Sequence, residues 1–287
     1  MTVLNSASEG LPNELIVLAR ACFEAGPILR EELVELCEMD GQTRLRGCLS
    51  KWTALGLFVL HDDNVEISSE VKGAGEGVDA WTERLPSFCR NLVFKRENYQ
   101  PLFGEDAGTS ADLVKGLAWL LAQDIFALPD SWDGVGKLEV EQLEDAHKIF
   151  SNDVRFNAFR YWARFLGFAN NNRGFFLDSA NAVREEVRAI LKSSEFMSAD
   201  GLVSELSKRI PVFDGGVVRD EMIGKVNPGT QSKLKPRQLS IALSHALQRL
   251  EMEQVIAFDS PSDTESGFML LGSQMRERRS LIRVRLL

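Results

Sequence analysis

Cations are in deficit in this chain. It has 33 Lys and Arg against 42 Asp and Glu over 287 residues, a formal net charge of -9 at pH 7. A uniformly basic surface is excluded, so any contact with nucleic acid must be local. Cysteine is sparse. Cys22, Cys37, Cys48 and Cys89 all lie in the first third, and none forms a CxxC pair. Structural zinc needs close ligand pairs, so these read as reduced thiols packed in a core. Histidine is scarcer still. His61, His147 and His245 sit in separate segments, and no HExxH, Ser-His-Asp set or deaminase zinc pattern accompanies them. Long apolar runs are missing too. LAWLLA, residues 117–122, is far short of the roughly 20 residues that cross a bilayer. The opening MTVLNSASEG has neither the basic start nor the apolar stretch of a signal peptide. The expectation is a cytoplasmic protein with no membrane partner, no metal and no cofactor.

Two glycine clusters carry little chemistry. DGVGKLEV, residues 133–140, lacks the four-residue spacer and the following Ser or Thr of a phosphate loop. GAGEGV, residues 73–78, reads as a linker. The acidic stretch VEQLEDAH reads as a solvated helix face. Trp119, Trp132 and Trp162 read as core rather than as stacking platforms for bases. With no catalytic constellation, the chain is not expected to be an enzyme.

What is present is a core and a pattern. Hydrophobic residues make up 44% of the chain, which is enough for packed domains. The length suggests two domains, or three small ones. NELIVLARACFEA carries Leu15, Leu18 and Cys22 at helical spacing, started by Pro12 and stopped by Gly26-Pro27. ILREELVELCEM predicts a second helix. Asp40-Gly41 makes a turn, and Thr43 caps a third helix reaching Leu55. GLFVL and VEIS then flank the polar loop 61–64, a hairpin signature. Three helices and a hairpin make the order of a winged helix, a helix-turn-helix variant.

The order recurs. Two helical segments, 110–126 and 140–150, precede FNAFRYWARFLGFANNNRGFFL, residues 156–177, with Asn152 as a cap. A third, more diverged copy runs through SADGLVSELSKRI, GVVRDEMIGKV and RQLSIALSHALQRLEMEQ to the strands VIAFD and FMLL. The predicted fold class is mainly α with small β-hairpins, arranged as tandem winged helix-turn-helix domains. The expected boundaries are an N-terminal winged helix over 1–75 and a linker with one bridging helix over 76–108. A middle winged helix follows over 109–192, then a C-terminal one with a basic tail over 193–287.

The scarce cations cluster. Residues 41–60 contain Arg44, Arg46 and Lys51 and no acid. Residues 154–177 contain Arg155, Arg160, Arg164 and Arg173 and no acid. Residues 225–250 contain Lys225, Lys233, Lys235, Arg237 and Arg249 and no acid. Each window coincides with a helix that a winged helix offers to a major groove. Phosphates neutralised by Lys or Arg release counterions, and base edges are read by Arg, Asn and Gln. The candidate DNA-binding residues are Thr43, Arg44, Arg46 and Lys51 with Gln42, then Arg155, Asn157, Arg160 and Arg164. Lys233, Lys235 and Arg237 complete the set, beside Gln238, Ser240, Ser244 and His245. The loops rank the copies. Acidic loops at 61–64 and 260–267 suit DNA poorly, whereas Asn171 and Arg173 belong to an amide-and-cation loop that suits a wing. The middle copy is therefore the best candidate reader. Winged helices also serve as protein-docking modules, and that alternative stays open.

The C-terminal MRERRSLIRVRLL sets Arg276, Arg278, Arg279, Arg283 and Arg285 against Glu277 alone. Its alternation predicts an edge strand, able to contact DNA backbone or an acidic protein surface. Finally, LNSASEGLPNELIVLAR, residues 4–20, followed by a winged-helix pattern, resembles the DpdG family. The resemblance implies a bacterial accessory protein of Dpd clusters, which install 7-deazaguanine derivatives in DNA and restrict unmodified DNA. It supplies no catalytic residues. It implies double-stranded DNA as the ultimate substrate of an antiviral defence assembly, with helicase- or nuclease-type proteins of that complex as partners. A transcriptional regulator and an interaction scaffold without DNA affinity are the alternatives, and self-association into a homo-oligomer is left open.

Overall fold

The computed structural model describes residues 2–5, 10–37, 42–73, 75–170, 174–191, 195–231, 233–259 and 267–287. The chain is mainly helical with small antiparallel sheets. Helix α1, Pro12–Ala25, starts on Pro12, and Glu14 reaches back to accept the Leu11 N–H at 3.0 Å. Its buried stripe is Leu15, Leu18, Ala19 and Cys22. Gly26 takes φ 73°, in the left-handed region, and ends it.

The next residues do not continue into one helix. Ile28–Leu29 is a short strand, β1, and only then does helix α2, Arg30–Leu36, begin. Helix α3, Gln42–Ala54, leads to strands β2, Phe58–His61, and β3, Asn64–Ile67. The three strands form a sheet in the order β1-β3-β2, with Val65 opposite both Ile28 and Leu60. Short helix α4, Ser69–Lys72, precedes α5, Val78–Val93, and α6, Arg96–Tyr99. The stretch 76–108, where one bridging helix is expected, thus holds α5 and the short α6. Trp81 is buried and donates from Nε1 to the Val71 carbonyl at 2.8 Å.

Helix α7, Ala111–Leu121, is followed by α8, Trp132–Gln142, and a 3-10 turn at Asp145–His147. The helix expected at 140–150 therefore lies earlier and absorbs DGVGKLEV. Buried Glu139 explains the shift. Its Oε1 accepts the N–H groups of Ile149 and Phe150 at 2.7 and 2.9 Å, which fixes the following segment as a loop. Helix α9, Asp153–Phe165, is capped by Asn152, whose side chain accepts the Arg155 N–H at 2.9 Å.

Strands β4, Ala169–Asn170, and β5, Phe176–Leu177, form a small hairpin before helix α10, Ala180–Ile190. Strand β6, Met197–Ser198, leads into α11, Ala199–Arg209, then α12, Val217–Ile223, and α13, Ile241–Met252. Strand β7, Ile256–Asp259, is separated from β10, Arg283–Leu286, by the hairpin of β8, Phe268–Gly272, and β9, Arg276–Leu281. The sheet order is β6-β10-β7. The alternating tail is therefore a central strand and not an edge, because β6 pairs with its free side.

The chain forms two compact units, Met1–Val114 with Asn152–Leu166, and Lys115–Ser151 with Gly167–Leu287. In the first, the rings of buried Trp52 and Trp162 lie 5.3 Å apart, and Phe156 and Phe159 extend the core. In the second, Trp119 sits 6.2 Å from Phe150 and donates to Gln142 Oε1 at 2.8 Å, while α10 packs on α11 and α13. Trp132 is half-buried. All four cysteines are free and buried, and burial pushes the Cys22 thiol up to about 12. Among the described residues, no helix is long and apolar enough to cross a membrane.

Candidate nucleic-acid interface

Helix α3 holds the first cluster of cations. Arg44 Nη1 lies 3.7 Å from Glu14 Oε1 on α1. Arg46 Nη2 lies 2.6 Å from Glu31 Oε2 on α2. Lys51 is 2% exposed and out of a phosphate's reach. The side chains of Gln42 and Thr43 lie outside the described residues. The acid-free window is acid-free only in sequence, because neighbouring helices supply the carboxylates. The outward positions left on α3 are small: Gly47, Ser50, Thr53 and Ala54.

Helix α13 offers little surface to a groove, because nearly its whole circumference is buried. Ser240 donates to Asp214 Oδ2 at 2.6 Å and accepts the Leu243 N–H, so it caps the helix. Ser244 is buried and accepts the Leu271 N–H at 2.9 Å. His245 sits edge-on to Phe126 and Phe176, at 5.4 and 5.7 Å between ring centres. Arg249 pairs with Asp178 and Glu253.

The approach to α13 is more open. Lys233 and Lys235 are exposed. Arg237, however, is taken. It donates from Nη1 and Nη2 to the two Asp200 oxygens at 2.7 and 3.0 Å and from Nε to the Gly267 carbonyl at 3.1 Å. Its guanidinium also lies 4.5 Å from the centre of the Phe268 ring. The bidentate pair holds the Asp200 carboxyl below its ordinary range. Gln238 donates to Glu277 Oε1 at 3.0 Å.

Helix α9 differs from both. Its inner face is Phe156, Ala158, Phe159, Trp162 and Ala163. Arg155 turns inward. Its Nη2 lies 3.2 Å from Asp112 Oδ2, and the same buried carboxylate accepts the N–H groups of Val3 and Leu4 at 3.3 and 2.9 Å. Arg155 is a clamp on the N-terminal segment. The outer face carries Val154, Asn157 and Tyr161, the last 49% exposed, flanked by half-buried Arg160 and Arg164. Arg160 Nη1 is 3.5 Å from Asn157 Oδ1, and the Arg164 guanidinium is 5.9 Å from the Tyr161 ring centre. Among the described residues no carboxylate pairs with Arg164. Asp153 is the single acid on the helix. Asn171 and Arg173 of the hairpin loop lie outside the described residues.

α9 therefore presents an amide, a phenol and two guanidinium groups along one helical stripe at spacings of three and four. Such a stripe can donate to phosphates and meet base edges. Tyr161 and Asp112 are not among the residues that the sequence singles out. Tyr161 was findable, four residues after Asn157 and three before Arg164. Asp112 was not, since its partners lie at the N-terminus and on α9.

A family model described as DpdG-like matches residues 1–264. No curated protein and no solved structure matches the chain.

Proposed function

The chain belongs to the DpdG-like family, and from that premise we propose that it is a non-enzymatic accessory subunit of a bacterial Dpd system that meets duplex DNA along α9. The observation carrying this reading is the outer face of α9. Of the three cation-bearing helices it alone combines an exposed amide and phenol, Asn157 and Tyr161, with a guanidinium, that of Arg164, that no carboxylate pairs among the described residues. Arg160 and Arg164 would take phosphates, and Asn157 a base edge.

The element orders support winged helices on either side. In 1–75 the sequence α1-β1-α2-α3-β2-β3 closes a sheet ordered β1-β3-β2. From residue 180 onward, α10-β6-α11 and then α13-β7-β10 close a sheet ordered β6-β10-β7. Both place the first short strand beside the last, as a winged helix does. For the N-terminal one a second role is favoured by a specific observation. The small outer residues of α3, with Arg44 and Arg46 already paired, suit close approach of another protein, so we assign that helix to docking within the Dpd assembly.

Fluorescence anisotropy with random and genomic duplexes, titrated with salt, tests the DNA reading. Each phosphate contact adds about 0.9 to the log–log slope. Arg160→Ala with Arg164→Ala should therefore flatten the slope by about 1.8. Arg155→Ala should instead lower stability by about 2 kcal/mol, by removing the charged hydrogen bond to Asp112, and keep the slope. An unchanged slope in the Arg160/Arg164 variant rejects α9 as the reader. A strong preference for one short genomic sequence would mark a regulator, and no binding would leave the scaffold.

A further inference from the structure

We propose that the β8–β9 ribbon is a second contact for duplex nucleic acid, gripping backbone phosphates through Arg276 and Arg278. The proposal extends the reading that this chain meets DNA, but on a different element.

The arginines of the C-terminal segment fall into two groups. Arg279 Nη1 lies 2.7 Å from Glu251 Oε2, and Arg283 pairs with Asp259. Arg285 lies over the Phe196 ring at 5.2 Å. These are occupied within the fold. Arg276 and Arg278 are exposed, and neither pairs with a carboxylate among the described residues. The two flank Glu277, whose Oε1 is engaged by Gln238 at 3.0 Å, and in a chain with nine more acids than bases, two cations outside the internal pairing are what an external anion would find.

Arg278 is also placed by shape. Leu270 pairs with Arg279 and Leu271 with Glu277, so Arg278 is the extra residue of a β-bulge. A bulge bends its strand and re-aims the side chain. Here it lays Arg278 across Gly272, where any Cβ would collide with the guanidinium nitrogens. The missing side chain at 272 is thus the space the arginine occupies.

The ribbon is anchored behind this surface. Leu270 and Leu271 are buried. The outer edge of β8 is closed by residues 237–239, through Met269 N–H to the Arg237 carbonyl at 2.7 Å and Leu239 N–H to the Met269 carbonyl at 3.1 Å. At the turn, Gln274 donates its N–H to Asp124 Oδ2 at 2.7 Å. Only β9 is turned outward, with five of its six residues exposed. Lys233 and Lys235 are exposed on the segment that leads into the closed edge. Guanidinium forks match phosphate oxygens in pairs.

The test uses the full chain. Arg276→Ala with Arg278→Ala, titrated with salt against a random duplex, should flatten the log–log slope by about 1.8. Its melting temperature should stay that of the parent, since neither arginine holds an ion pair among the described residues. Arg279→Ala is the contrast: it should lower the melting temperature and keep the slope. An unchanged slope for Arg276→Ala/Arg278→Ala in a chain that binds DNA overturns the ribbon and leaves α9 standing. A flattened slope here with none for Arg160→Ala/Arg164→Ala supports the ribbon and rejects α9. A parent chain that binds no duplex overturns both. Equal retention by polyglutamate of matched charge overturns the assignment to phosphates.

Discussion

Asp112 decides what Arg155 is. By sequence, Arg155 opens a helix rich in cations and free of carboxylates after Asp153. In the fold it closes over a buried carboxylate that also holds the Val3 and Leu4 amides. Arg44, Arg46 and Arg237 are likewise paired, though with carboxylates more exposed than Asp112. Residue type and helical position were legible, because they depend on local spacing. The pairing was not, because each carboxylate arrives from another element. His245 is a residue-scale case with a measurable outcome. Burial between Phe126 and Phe176 pushes its imidazole below the ordinary value of 6.5. The unfolded chain then takes up the proton first as pH falls. This contribution to stability is complete above about pH 6.5 and is lost progressively below it. Melting temperatures at pH 7.5 and 5.5 should differ more for the parent than for His245→Gln. Equal differences would count against the buried imidazole.

Among the elements, long helices were the legible part. Leu15, Leu18 and Cys22 mark α1, and Asn152 marks the start of α9, because period and cap are both local signals. Two-residue strands such as β1, β4 and β6 are too short to show a period of two. Helix α10 is faint in the sequence for another reason. Its buried face is mostly Ala180, Ala182, Val183 and Val187, a thin apolar signal beside its charged residues. The alternating tail reads as an edge in sequence because its partner β6 lies more than eighty residues upstream. β10 now carries a prediction. Ending the chain after Leu281 removes the strand between β6 and β7, with ladder hydrogen bonds each worth about 1 kcal/mol and the buried Val284. Amide exchange across α10, α11 and α13 should rise sharply in that variant. Protection matching the parent would show that β10 is dispensable.

On the scale of the whole molecule, the chain passes between its two units three times, at Val114–Lys115, Ser151–Asn152 and Leu166–Gly167. A linear reading assumes contiguous domains and has no means of seeing this. α9 belongs to the first unit, and the hairpin that follows it belongs to the second. A fragment ending at Val114 lacks Trp162, the ring packed on Trp52, together with Phe156 and Phe159. Such a fragment should melt far below the full chain by circular dichroism, or show no cooperative transition. Melting at the parent temperature would refute the division. The internal ion pairs have one more consequence for the intact molecule. Glu14, Glu31 and Asp200 act as tethered counterions that rival any incoming polyanion for Arg44, Arg46 and Arg237. Unlike dissolved anions, they cannot be diluted away. Neutralising one, for instance Glu31, would release a cation and give this acidic protein a nonspecific grip on polyanions. Its carboxylates thereby restrain as well as stabilise.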